Sequence, residues 1–141
     1  MKISLSKAIA LLLFTAFLMV LYPAFVLGYT WSHVAHSNLS GGRNGPLDAY
    51  RHTLASAVVA YTLDKRAVDW VSSIMESGHS SANAMDKRNN SIGAGIGSTA
   101  ISFIAIEPAV RQAIDNGTIG GDDPRQITWL AENQWQDSLF W

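Results

Sequence analysis

Asp48, Arg51, His52 and Ser56 are spaced at offsets of 0, 3, 4 and 8, which places four polar groups on one face of a helix. Asp86, Asn89, Asn90, Gly93 and Gly97 repeat that arrangement at 0, 3, 4, 7 and 11. An imidazole beside a carboxylate exchanges protons near neutral pH. His52 oriented by Asp86 or Asp48 is therefore a candidate catalytic base, with Asn89, Asn90 or Arg51 able to meet an oxyanion. A second chemistry uses His52, His79 and Asp86 as three metal ligands with an open position, a donor set suited to zinc or iron, although its spacing follows no established motif. The third and simplest reading is a structural polar network of Asp48, Arg51, His52, Asp86, Asn89, Asn90 and Gly93. In it the acids satisfy Arg51, the asparagines bond His52 and the helix ends, and no cofactor is expected.

These side chains need elements to hold them. Pro46 suits a first helical position, and Leu47, Tyr50, Leu54, Ala57, Val58 and Tyr61 recur at helical spacing, which predicts a helix over 46–63. Asp64 caps a second helix with Val68, Val71, Ile74 and Met75 on its apolar side and Gly78 as its stop. Ser80 or Ser81 caps a third, expected to run to Ile106 and to halt before Pro108. Its apolar second half, Ile92 to Ile106, is too short and too rich in glycine for a membrane crossing and reads as a buried core helix. A fourth helix covers Glu107 to Asn116, a turn follows, and the tail is a last short helix or irregular. No strand pattern stands out. Gly93 and Gly97 strip bulk from one polar stripe while Ala55 and Ser56 keep the other shallow. The two helices should therefore cross with Arg51 and His52 facing Asp86, Asn89 and Asn90, and with His79 closing one end.

The segments DAYRH at 48–52 and MDKRNNSIG at 85–93 resemble a family of bacterial exported or phage-associated proteins of uncharacterised function. That family carries an Asp-Ala-aromatic-Arg-His element followed by Asp-x-x-Asn-Asn-x-x-Gly. The resemblance spans roughly residues 45–97 and implies that Asp48, Arg51, His52, Asp86, Asn89, Asn90 and Gly93 belong together, without supplying an activity. The family pattern has a His-Glu pair between the two elements. Here His79 is followed by Ser80, so a role that needs that acid is not carried over.

The leader sets the location. Ala8 to Gly28 is uncharged and, as a helix, spans about 31 Å, the thickness of a hydrocarbon core. Lys2 and Lys7 precede it and no basic residue follows before Arg43, a bias that puts the N-terminus in the cytoplasm and the rest outside. A cleaved signal peptide ending near Gly28 is the competing reading, but the run exceeds a usual signal core. The expected organisation is a membrane anchor over 1–30, a linker over 31–45, and an all-α extracytoplasmic bundle of about four helices over 46–141. It would sit in a bacterial inner membrane with its domain in the periplasm.

Composition narrows the function classes. The net charge is -1, and beyond Tyr29 8 basic residues face 11 acidic ones, so no basic stripe is available for nucleic acid. The absence of cysteine excludes disulfides, thiolate catalysis and Cys-based metal sites. Trp129, Trp135, Phe140 and Trp141 crowd four large aromatics into the last residues and form a candidate interface. The expected function is a single-pass accessory subunit packing on a larger membrane complex, with lipid and other subunits as partners. A membrane-tethered cell-envelope hydrolase using His52 and Asp86 or a metal is the alternative.

Overall fold

An apolar run free of charge from Ala8 onward, interrupted only by Pro23, folds as one long helix, α1 (Leu5–Val34). The structure is a computed structural model and describes residues 4–137. Up to Leu21 the large apolar side chains of α1 are exposed, and the helix is long and apolar enough to cross a membrane. From Tyr22 it lies against the domain, burying Val26, Thr30 and Val34 at four-residue intervals. That stripe corrects the expected linker: Trp31 to Val34 remain helical because Val34 continues the buried face. The turns that follow place Gly41 and Asn44 at positive φ before the next helix starts.

Helix α2 (Pro46–Thr62) begins at its proline, as expected, and is the central element, with Tyr50, Leu54, Ala57 and Val58 fully buried. The Asp64 carboxylate accepts the Arg66 N–H at 2.8 Å and caps α3 (Lys65–Met75). This helix ends before Gly78 and buries only Val68. Its other expected core residues Val71, Ile74 and Met75 are exposed, together with Trp70.

Ser80 caps α4 (Ser81–Thr99), accepting the Asn83 N–H at 3.1 Å. Helices α2 and α4 run parallel and pack backbone to backbone. A Cβ on Gly93 would fall 2.2 Å from the Thr53 carbonyl oxygen, and one on Gly97 2.0 Å from that of Ala57. The crossing expected from the glycine stripe is therefore present. The continuation of this helix to Ile106 is not. Ser98 and Thr99 donate their hydroxyls back to the Gly95 carbonyl, Ala100 turns extended, and a 3-10 turn at Phe103–Ala105 leads into α5 (Ile106–Asp115). Pro108 falls in the first turn of α5, where its missing N–H costs nothing. Ile106 is buried, but Ile101 and Ile104 are 95% and 82% exposed, so the expected buried helix over 92–106 holds only in its first part.

The described residues also contain two short parallel strands that the sequence did not suggest, β1 (Thr118–Ile119) and β2 (Thr128–Trp129). The Asn89 side chain anchors β2 by donating to the Thr128 carbonyl at 2.8 Å and accepting its N–H at 3.1 Å. The fold is mostly helical, with α1, α3, α4 and α5 packed around α2.

Candidate functional site

Asp48 is the third residue of α2, so its carboxylate can reach back over the helix start. It accepts the Asn44 N–H at 2.6 Å and a hydrogen bond from the Arg51 guanidinium one turn on. Both side chains are buried, and the Arg51 guanidinium also lies 5.5 Å from the centre of the Trp31 ring. A buried charge pair of this kind is tolerated only when each partner is supplied with hydrogen bonds.

His52 occupies the next position on the same face. Its Nδ1 lies 3.3 Å from Asn90 Oδ1, an oxygen that also accepts from Ser56 at 2.9 Å, while Asn90 Nδ2 donates to Ser72 at 3.3 Å. This network orients the amide so that His52 Nδ1 carries a hydrogen. Nε2 then faces two acids, Asp48 Oδ1 at 3.4 Å and Asp86 Oδ1 at 3.6 Å. A lone pair directed at two carboxylate oxygens is repulsive, so one proton must reside between Nε2 and these acids. Asp86 Oδ1 is buried and makes no hydrogen bond among the described residues, which marks it as a place for that proton.

The electrostatics agree. Burial raises the Asp86 carboxyl, and Asp48 and Glu76 add to this against the opposing charges of His52 and Arg51, leaving it at about 6. For His52, burial opposes the charged ring, but the hydrogen bond to Asp48 and the charges of Asp86 and Asp48 prevail and hold it above the ordinary histidine value. Burial also works against Asp48, yet His52, the Asn44 N–H and Arg51 keep it below the usual carboxylate range. The three groups therefore titrate as a coupled set rather than singly.

Both His52 nitrogens are engaged inside the cluster. His52, expected as a base oriented by Asp86 or Asp48, does lie beside both acids, and Asp86 is the more peripheral of the two, half-buried at the edge. The expected metal set changes. The donor atoms within 4.8 Å of one another belong to Asp48, His52 and Asp86, while His79 is exposed in the α3–α4 connection and is not among them. One imidazole and two carboxylates suit zinc or iron, and Asn90 would orient the ring, but Arg51 already occupies Asp48 Oδ1 and sets a positive charge against any cation there. Asn89 departs from the expected network as well. One residue along a helix turns the side chain by about 100°, which carries Asn89 to β2 and leaves Asn90 alone facing His52.

Two of the four tail aromatics dock on the domain itself. Trp129 lies over Gly117, where an added Cβ would sit 2.3 Å from the ring, and Trp135 covers Gly41 while donating its indole N–H to the Leu130 carbonyl at 2.8 Å. Phe140 and Trp141 lie outside the described residues.

A second polar group, on another side of α2, escaped the sequence reading. Tyr50 donates to Glu107 at 2.7 Å, and Arg111 donates to the same carboxylate at 3.1 Å and to the Ser37 carbonyl at 3.2 Å. Only the Glu107–Arg111 spacing within one helix could have signalled it. Compared with known protein families, curated proteins and solved structures, the chain matches none of them.

Proposed function

We propose that the protein is a single-pass, membrane-anchored accessory subunit whose helical domain packs on partners in a larger membrane complex. The observation that carries this reading is the uncovered flank of α3, where Trp70, Val71, Ile74 and Met75 are exposed on a domain already joined to an apolar helix. A contiguous apolar flank of this kind serves association better than it serves a free monomer. In this reading Asp48, Arg51, His52, Asp86 and Asn90 lock α2 to α4, lipid surrounds α1, and no metal takes part. The test is to purify the full chain in mild detergent, identify what copurifies in fixed ratio, and measure metal on the same sample. A stoichiometric membrane partner without metal supports the subunit; a lone, metal-loaded monomer overturns it.

One observation favours a second reading, the membrane-tethered hydrolase. Asp86 combines a raised carboxyl, a buried oxygen without a hydrogen bond among the described residues and an edge position, which suits a general acid or base. Here Asp86 is the catalytic group and His52, with Asp48, positions its proton. Turnover of ester, amide or phosphoester probes that disappears in Asp86→Asn while the fold is retained would support it, and no turnover by the wild-type chain would remove it.

A further inference from the structure

The membrane reading of α1 leads to a length problem with a structural answer. If Lys7 marks one edge of the hydrocarbon, the helix leaves the domain's cover from Ala8 to Leu21, about 21 Å, whereas the hydrocarbon core is about 30 Å thick. The missing depth corresponds to the part of α1 that already lies against the domain. There Tyr22 OH is 2.6 Å from Thr62 Oγ1, and the Phe25 ring is 6.1 Å from that of Phe103. The end of the domain built from the α2–α3 turn and the α4–α5 connection must then share that depth.

Its surface is suited to this. Leu63 is 59% exposed, and Ile101 and Ile104 are almost wholly so, all three beside the point where α1 emerges. Three hydroxyls at this end are turned inward on helix carbonyls: Thr62 donates to Val58 at 2.7 Å, and Ser98 and Thr99 each donate to Gly95 at 3.0 Å. Such back-bonding leaves few polar atoms in need of water. Beyond Leu63, the exposed Asp64 spends a carboxylate oxygen on the Arg66 N–H, and Lys65 and Arg66 are exposed within reach of phosphate headgroups.

We infer that this end of the domain, led by Leu63, Ile101 and Ile104, dips into the outer face of the bilayer that α1 crosses, so that the occupant of the apolar rim is lipid. The inference rests on the membrane reading of α1 and adds a depth and a contact surface to it. The polar cluster at the start of α4 then faces away from the lipid, because α2 and α4 run parallel and both end at the rim.

The chain has no cysteine, so single cysteines introduced at Ile101, Ile104, Leu12 and Asp122 can each carry an environment-sensitive fluorophore in the full-length protein reconstituted into phosphatidylcholine vesicles. The expected result is that a lipid-borne quencher dims the labels at 101, 104 and 12 several-fold more than the label at 122, whereas aqueous iodide does the reverse. If 101 and 104 follow 122 while 12 is quenched from the lipid, the anchor stands and the rim inference falls, with the bilayer thinning to meet the short helix instead. If 101 and 104 are shielded from both quenchers, protein covers the rim and the inference falls. If 12 itself is open to iodide, the membrane reading of α1 fails and takes the inference with it.

Discussion

Two polar groups lie on different sides of α2, and their difference is instructive. On one, Tyr50, Glu107 and Arg111 are fully matched: the carboxylate accepts from both partners and the guanidinium also lies 5.0 Å from the Tyr50 ring centre. On the other, Asp48, Arg51 and His52 meet Asp86, and one buried oxygen is left without a hydrogen bond. The matched group is a clasp between two helices, with the Tyr50 hydroxyl and the Arg111 guanidinium both spent on one carboxylate oxygen. The unmatched one leaves a buried carboxylate oxygen without a hydrogen bond, which is costly to the fold and makes it the first place to look for a further role.

The sharpest way to break this comparison is to remove Asp48. Asp48→Ala takes a carboxylate partner from the buried Arg51 and should cost about 3–5 kcal/mol, read by chemical denaturation of the detergent-solubilised protein. A loss below about 1 kcal/mol would mean that the pair is not buried in solution. Gly97→Ala tests the packing that closes the same side. Its methyl would meet the Ala57 carbonyl, and a loss of about 3 kcal/mol is expected by the same measurement.

The third test uses pH. A carboxyl that titrates at about 6 when folded, above its ordinary value, penalises the fold as it ionises, so stability should fall as pH rises from about 4 to about 6. The raised His52 acts in the same direction: its stabilisation is present in acid and is lost as pH climbs through its folded value. Asp86→Asn should flatten this decline and raise stability at pH 7 by about 2 kcal/mol, seen as melting temperatures across pH 4 to 8. Asp48 and Glu107 are held low and oppose the trend only under stronger acid, as pH falls through their folded values.

On the matched side, Glu107→Gln should cost about 1 kcal/mol, because Arg111 is partly solvated and Tyr50 keeps an acceptor. A penalty as large as that of Asp48→Ala would erase the distinction between the two sides. The smallest effect is expected at Gly95, where an added Cβ meets nothing within 4 Å. Gly95→Ala should stabilise α4 by about 0.5–1 kcal/mol, in contrast to Gly97→Ala one half-turn away.

The legible parts of the molecule were those encoded locally. Pro46, Asp64 and Ser80 announce helix starts by their own chemistry, and the spacing of Asp48, His52, Asp86 and Asn90 with Gly93 and Gly97 foretells two helices crossing on polar faces. Neighbouring positions on a stripe are harder to separate. Asn89 and Asn90 share a stripe on paper, yet only packing against β2 decides which of them meets His52. The expected third helix runs past its observed end because Ile101 and Ile104 look like core residues, while the hydroxyls of Ser98 and Thr99 that help end it look neutral. Tyr50 and Glu107 are 57 positions apart, and nothing in either residue's neighbourhood points to the other.

The tail has a consequence for the buried acid. Residues 130–136 strap the loop before α2: Arg43 and Gln136 exchange backbone hydrogen bonds, Leu130 donates to the Asn44 carbonyl at 2.9 Å, and the Asn44 side chain donates to Gln134 at 3.0 Å. Asn44 is also the residue whose amide grips Asp48. Cutting the chain within 130–136 is therefore expected to loosen that amide, and with it the hold on the first turn of α2.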